Sequence, residues 1–222
     1  MDEALLAELL EKLGAAKSLP AAELLKLYGG LGPLLDEESG TLEALTGLSK
    51  DKARLLTLIP ELARYIAREE AEKLRKLNSY DRACAYLAGH YLGARREQVY
   101  LLCLDKAGCL LDCTRVLEGS VEQVSCPPRR LLEPALSSGA HALILSHNHP
   151  GGTPGHSAGD IEYTLQLLEI LRPLGILLLD HIVSADGRCA SIHNHPGLPG
   201  GSIFHGQPKD PLIAGWLPPK GE

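Results

Sequence analysis

The sequence predicts a layered α/β domain preceded by a smaller helical domain. Apolar residues recur at helical spacing through residues 1–77, which indicates helices that pack against one another. After about Glu97, short strand-like runs alternate with helix-like stretches, and this alternation is typical of a layered α/β fold.

The helical domain is expected to cover residues 1–77. Leu55, Leu58 and Leu62 follow helical spacing, and Gly and Pro residues near position 30 divide the segment. Its acidic start, MDEALLAELLEKL, is unlike the basic and then apolar sequence of a signal peptide.

The α/β domain is expected to cover residues 78–192. The runs QVYLLCLD and CLLDCTRVLEG, joined by KAG, predict a hairpin, and RRLLEPALSSGA predicts a helix despite Pro134. HALILSHNHP reads as a strand with a polar tip, AGDIEYTLQLLEILRPLG as a helix and ILLLDHIVS as a buried strand. Gly and Pro are frequent in residues 193–222, which predicts a flexible tail.

Composition excludes several classes of protein. No apolar run approaches the 18 residues of a membrane span, so no membrane partner is expected. Six cysteines without a C-x-x-C pair favour a reducing cytoplasm over a disulfide framework. The net charge of −6 gives no electrostatic reason for a strong grip on nucleic acid.

The pentapeptide HNHPG occurs twice, and its first copy predicts a metal site. His147 and His149, two apart at the end of a strand, point to the same side. Ser157 and Asp160 begin the next helix, which can bring the carboxylate over the imidazoles. Two His and one Asp leave the fourth position of zinc open, as in catalytic sites, although they also suit other divalent metals. Taken separately, His-x-His is often plain polar surface and Ser-x-x-Asp a plain capping box.

The stretch HNHPGGTPGHSAGD resembles the metal motif of the JAB/MPN metalloenzymes, specifically of RadC-like proteins, which carry HNHPSG and then P-S-x-x-D. The likeness continues through REQVYLLCLD, PPRRLLEPALSSGAHALIL and GILLLDHIVS, and Gly152 is a departure at a position that is not a ligand. The resemblance implies a mixed sheet flanked by helices, related to cytidine deaminases, and a zinc hydrolase. It assigns zinc to His147, His149 and Asp160, oxyanion stabilisation to Ser157, and the handling of the bound water to a distant glutamate.

Glu97 is the expected general base. A carboxylate near the zinc can accept a proton from bound water, whose pKa falls toward about 7, and later give it to a leaving amine. The family's glutamate lies where a helix gives way to the first core strand, and Glu97 has that place in ARREQVYLLCLD. A solvated charge at a strand start is the alternative reading, and Glu118 and Glu122 are competing candidates.

Asp180 and His181 end a predicted strand. They read equally as a contact that orients a zinc ligand or as a hydrogen-bonded strand end. The second HNHPG, His193–Gly197, is followed by no Ser-x-x-Asp, and its next carboxylate, Asp210, lies in a Gly/Pro-rich stretch. A chance repeat or a weak metal contact is therefore expected there.

The stretch LEALTGLSKDKARLLTLIPELARY resembles the helix-hairpin-helix region that precedes the RadC catalytic domain. Its turn, Gly47-Leu48-Ser49, lacks the second glycine. Lys50, Lys52 and Arg54 are placed to face a phosphate, or else form a solvated helix end.

The expected function is that of a cytoplasmic zinc metallopeptidase or isopeptidase, which uses a metal-bound water to attack an amide carbonyl of a protein or peptide substrate. The alternative is a RadC-like, DNA-associated binding module of the DNA-repair type, with a metal site but little catalysis. Zinc deamination is disfavoured because H-x-E and P-C-x-x-C are absent. An HNH-type nuclease is disfavoured by the buried strand before His147 and by the lack of a basic surface.

Overall fold

The computed structural model describes residues 1–15, 18–119, 127–193 and 195–216. The chain divides into two compact units, Met1–Ala67 and Arg68–Glu222. The sequence places this boundary later, after residue 77. Ala71 and Leu77 explain the difference, because both are buried in a hydrophobic cluster of the second unit.

The first unit is helical, as predicted. Its helices are α1 (Asp2–Leu13), α2 (Ala21–Tyr28), α3 (Leu31–Leu35), α4 (Ser39–Thr46) and α5 (Lys50–Glu72), the last of which continues into the second unit. Gly29, with φ 74°, ends α2 in a left-handed conformation that glycine adopts without steric cost. Leucines from all five helices, including Leu6, Leu24 and Leu56, form the core.

The second unit contains a five-stranded sheet with helices on both faces. Its elements are α6 (Tyr80–Tyr91), β1 (Glu97–Leu104), β2 (Leu110–Gly119), α7 (Pro128–Ser137), β3 (Ala142–Asn148), α8 (Ala158–Leu171), β4 (Leu177–Ala185), β5 (Arg188–Ser191) and α9 (Pro211–Gly215). The strand order is β2-β1-β3-β4-β5. Only β3 and β4 pair in parallel, so the sheet is mixed and the predicted α/β class is confirmed.

The two faces of the sheet have separate cores. On β3, Ala142 and Ile144 belong to the cluster that includes side chains of α6. Leu143 and Leu145, on the other face, belong to the cluster that includes side chains of α7 and α8. Side chains alternate along a strand, so His147 continues the second series and faces the side of α8.

The described part of the tail, residue 193 and residues 195–216, has buried side chains that the Gly- and Pro-rich sequence does not predict. Leu198, Ile203, Leu212 and Trp216 are all buried. The Trp216 indole N–H donates a hydrogen bond of 2.9 Å to Asp180, a carboxylate buried inside β4. Residues 195–216 pack because they supply these apolar side chains, which the abundance of Gly and Pro in the sequence conceals.

Asp180 is a structural residue of this unit. Its carboxylate also accepts hydrogen bonds from the Ser191 hydroxyl and from the backbone N–H groups of His181 and Ile192. Burial raises its pKa to about 7, although the donors around it favour the charged form. The carboxylate thus joins β4, the end of β5 and the tail.

The composition of the sequence predicts that the chain has no membrane span and no disulfide framework. Among the helices of the described residues, none combines the length and apolar character that a bilayer crossing requires. Five cysteines lie in the described parts of the chain and all are free thiols, whereas Cys126 lies outside them.

Candidate metal centre

Three strands bring the predicted site residues to one edge of the sheet. Because β3 and β4 are parallel, their carboxyl ends meet at this edge. β1 runs antiparallel to β3, with Val99 opposite His147, so the amino end of β1 arrives at the same place. Glu97, the first residue of β1, therefore lies beside the end of β3.

His147 contacts both other predicted ligands. Its Nε2 lies 3.0 Å from Nε2 of His149 and 3.4 Å from Oδ1 of Asp160. Ligands about 2.0–2.1 Å from a tetrahedral zinc are separated by roughly 3.3 Å. The two distances are therefore close to those between the ligands of one metal ion.

The start of α8 fixes the orientation of Asp160. Ser157 accepts a hydrogen bond from the Asp160 backbone N–H, and its own N–H and hydroxyl both donate to Asp160 Oδ2. This is the capping box that Ser-x-x-Asp predicts. Because Ser157 occupies Oδ2, the other oxygen, Oδ1, faces His147.

A chain of hydrogen bonds determines which nitrogen of His147 carries its proton. The Thr164 hydroxyl donates to the Asp160 carbonyl at 2.6 Å and therefore accepts from Nδ1–H of His181 at 2.8 Å. Nε2 of His181 is then bare and accepts from Nδ1–H of His147 at 2.9 Å. Burial lowers the pKa of both imidazoles, which keeps them neutral, so Nε2 of His147 carries only a lone pair.

His149 is fixed in the same tautomer by a different partner. Its Nδ1–H donates to the Thr153 carbonyl at 3.1 Å, so a neutral His149 has a bare Nε2. When His149 is neutral, both Nε2 atoms are bare and face each other at 3.0 Å. Two facing lone pairs repel each other unless a cation lies beside them. A histidine that ligates a metal through one ring nitrogen typically donates the N–H of the other nitrogen to a hydrogen-bond acceptor of the protein. The donor set thus fits a divalent metal.

The group of residues whose ligand atoms all lie at the mutual spacing of a metal site contains His181 in place of His149. Within the described residues, His147, Asp160 and His181 each bring one ligand atom within 4.8 Å of the others. A His-Asp-His cluster that could hold a metal ion is therefore present. However, Nε2 of His181 already accepts the His147 proton and Nδ1 faces Thr164, so we assign His181 the task of orienting His147.

Replacing Thr164 with valine is expected to weaken metal binding by about 10–100-fold, the usual cost of losing a group that orients a ligand. Valine keeps the shape but gives no acceptor to His181, so the tautomer of His147 is no longer fixed. Competition with a chromophoric chelator measures the affinity. Thr114→Val on β2 is the matched control, and equal affinities in both variants would show that the chain of hydrogen bonds is irrelevant.

Asn148, between the two histidines, positions Glu97. Its side-chain oxygen accepts from the Gln98 N–H at 2.7 Å and its amide donates to the Arg96 carbonyl at 3.2 Å. The residues on either side of Glu97 are thereby held to the end of β3. Burial raises the pKa of the Glu97 carboxyl, the electrostatic interaction with His149 lowers it, and the interaction with Asp160 raises it. Glu97 thus lies within electrostatic reach of two predicted ligands.

The competing glutamates differ in their placement. Glu118 on β2 lies opposite Gln98, one residue out of phase with Glu97, and pairs with Arg115 at 3.0 Å. Glu122 lies outside the described residues. Of the two candidate glutamates in the described residues, Glu97 and Glu118, only Glu97 belongs to the same face of the sheet as His147.

The second HNHPG has other contacts. The His193 ring packs edge-on against Phe204, with ring centroids 4.4 Å apart. His195 accepts a hydrogen bond from the Gly197 N–H, and its ring lies 6.3 Å from that of His156. Asp210, the next carboxylate, instead binds His141 at 2.8 Å and caps α9. The two copies are not equivalent.

The basic residues after the Gly47 turn are partly engaged within the protein. The Lys52 ammonium donates to the Leu13 carbonyl at 2.8 Å, which satisfies an end of α1. Arg54 bonds to Thr57 and pairs with Glu61. Both interactions compete with a phosphate for these cations.

Comparison with known proteins places this geometry in a family. Residues 77–198 match the model of the RadC-like JAB domain. UPF0758 proteins are similar over most of the chain. One from Bordetella pertussis is 35% identical over 173 residues, 77% of this chain and 76% of its own. One from Delftia acidovorans is 36% identical over 175 residues, 78% of this chain and 77% of its own. One from Neisseria meningitidis is 32% identical over 172 residues, 77% of this chain and 76% of its own. The chain therefore belongs to the RadC-like JAB family.

Proposed function

We propose that this protein is a zinc-dependent hydrolase of amide bonds, a metallopeptidase or isopeptidase. The observation that carries the proposal is the close approach of three predicted ligands: Nε2 of His147 lies 3.0 Å from Nε2 of His149 and 3.4 Å from Oδ1 of Asp160. Two imidazoles and one carboxylate are the protein ligands of many catalytic zinc sites. Zinc held there supplies a Lewis acid that polarises an amide carbonyl and lowers the pKa of water toward about 7.

Glu97 moves the proton in this proposal. Its carboxylate accepts a proton from the attacking water and delivers it to the nitrogen of the leaving amine. A general base is most effective when its pKa lies nearer to neutrality than that of an ordinary glutamate. The raised pKa of Glu97, which burial causes, is a shift in that direction.

Ser157 has two tasks in the proposal. In the structure its hydroxyl hydrogen points to Asp160 Oδ2, so the residue orients a ligand. The role of oxyanion donor requires the hydroxyl to turn away from Asp160. The backbone N–H of Ser157 also donates to Oδ2, at 2.7 Å, and continues to hold the carboxylate when the hydroxyl turns.

The proposal is tested by removing and restoring the metal. Treatment with a chelator is expected to abolish cleavage of a peptide library or of a lysine-isopeptide library, detected as newly formed amines. One equivalent of Zn²⁺ is expected to restore it, whereas Mg²⁺ is not, because magnesium prefers oxygen ligands to imidazole. Cleavage that survives chelation, or zinc-loaded protein that cuts neither library, would contradict the proposal.

The DNA-associated alternative has less support in the described part of the chain. Lys52 and Arg54, two of the three basic residues on which it depends, bind groups of the protein itself. DNA binding that depends on salt and survives the removal of zinc is the result that would favour it.

A further inference from the structure

One face of α5 is apolar and open to solvent. Six large side chains on it are between 39% and 65% exposed: Leu55, Leu58, Ile59, Leu62, Tyr65 and Ile66. Their spacing of three and four residues places them on a single stripe of the helix. The opposite face carries Ala53 and Leu56, which are buried in the core of the first unit. The helix is therefore apolar on two sides.

The exposed stripe has the size of an interface. Six such side chains at about half exposure present on the order of 500 Å² of apolar surface, near the upper limit for patches on monomeric proteins. Each partner in a standard interface buries roughly 800 Å², so the stripe with its flanking residues approaches the area that a stable dimer needs.

The charges at the ends of α5 indicate what covers the stripe. The amino end carries Lys50, Lys52 and Arg54 against Asp51, and the carboxyl end carries Glu69, Glu70 and Glu72 against Arg68. Some of these charges also have partners in their own chain: Lys52 contacts the Leu13 carbonyl, Arg54 pairs with Glu61, and Glu70 pairs with Lys73. This distribution of charge along α5 is the reverse of what the dipole of a helix favours, because basic groups are unfavourable at its amino end and acidic groups at its carboxyl end. A second α5 running in the opposite direction would place acidic groups beside basic ones at both ends.

We propose that two copies of this chain associate through antiparallel pairing of their α5 helices about a two-fold axis near Leu62. Such an interface is self-complementary, since the apolar stripe of each copy meets that of the other and each basic end meets an acidic end. The inference is independent of the metal centre.

Sedimentation velocity of the full chain tests the association. Wild type is expected at twice the chain mass of 23.8 kDa. Leu62→Glu, which places two like charges at the axis, is expected to sediment as a monomer with an unchanged circular dichroism spectrum. Leu27→Glu is the matched control, because Leu27 is 65% exposed in the same unit but lies on α2, and it is expected to remain dimeric. Monomeric wild type, or a Leu62→Glu variant that still dimerises, would overturn the proposal.

Cysteine cross-linking tests the direction of the pairing. Under mild oxidation, Leu62→Cys near the axis is expected to form a covalent dimer on a non-reducing gel. Leu55→Cys, at one end of the stripe, is expected to give no more covalent dimer than wild type. The wild-type chain is the reference because it shows how much cross-linking the native cysteines cause. Equal cross-linking of both variants would indicate parallel helices, and no cross-linking of Leu62→Cys would indicate another surface. Either result sinks the antiparallel arrangement.

Discussion

Replacing His149 with alanine is expected to remove the metal and to reduce hydrolysis by about a thousandfold or more. The substitution deletes one of the two Nε2 atoms that face each other at 3.0 Å, and a site with one imidazole and one carboxylate binds zinc weakly. Loss of a metal that contributes several kcal/mol to the transition state corresponds to at least this factor. Elemental analysis of the purified variant, together with the library assay, measures both effects.

Two further histidine variants make this experiment decisive. His205→Ala, at an exposed position of the tail, is the control and is expected to retain about one zinc per chain. His181→Ala is expected to bind zinc more weakly but still detectably, because His181 orients His147 from the side opposite the ligands. If His149→Ala kept its zinc and His181→Ala lost it, the ligand set would be His147, Asp160 and His181 instead.

Replacing Glu97 with glutamine is expected to lower the rate of hydrolysis by about 10²–10⁴-fold while the metal stays bound. Glutamine preserves the size of the side chain but has no carboxylate to accept the proton of water. The backbone around residue 97 is held by Asn148 rather than by the Glu97 side chain, so the fold should tolerate the change. Zinc content and kcat are measured on the same preparation.

Glu118→Gln is the control for this substitution. Glu118 pairs with Arg115 on the neighbouring strand, so its loss is expected to leave kcat nearly unchanged. A Glu97→Gln variant as active as wild type would show that another group moves the proton. A variant that also lost its zinc would show that Glu97 acts on the metal directly.

The first contacts of the site follow from the sequence because they depend on local periodicity. Two residues apart on a strand, His147 and His149 must share a side, and Ser157 and Asp160 must meet in the first turn of a helix. The strand pattern also predicts the α/β class. Each of these inferences uses only residues that are close together in the chain.

The supporting residues could not be predicted because their partners are distant in sequence. In the sequence, Thr164 looks like an ordinary polar residue of α8. The parallel pairing of β3 with β4 is what places His181 between Thr164 and His147. In the sequence, Asn148 looks like a spacer between two histidines, yet its side chain accepts a hydrogen bond from the backbone of β1, 50 residues away. For Asp180 and His181 the sequence leaves two roles open, and the structure gives one role to each residue.

The bond between Asp180 and Trp216 has a consequence for the order of events during synthesis. The indole is made 36 residues after the carboxylate that it meets. While the ribosome is still adding those residues, only water can take the place of the Trp216 N–H beside Asp180. A carboxylate that needs this water cannot be fully buried, so β4, which also carries His181, stays partly open. The central sheet therefore reaches its final packing late, once the chain up to Trp216 has emerged. A nascent chain halted before residue 216 should remain open to proteases at β4, the strand that supports the predicted metal-binding histidines.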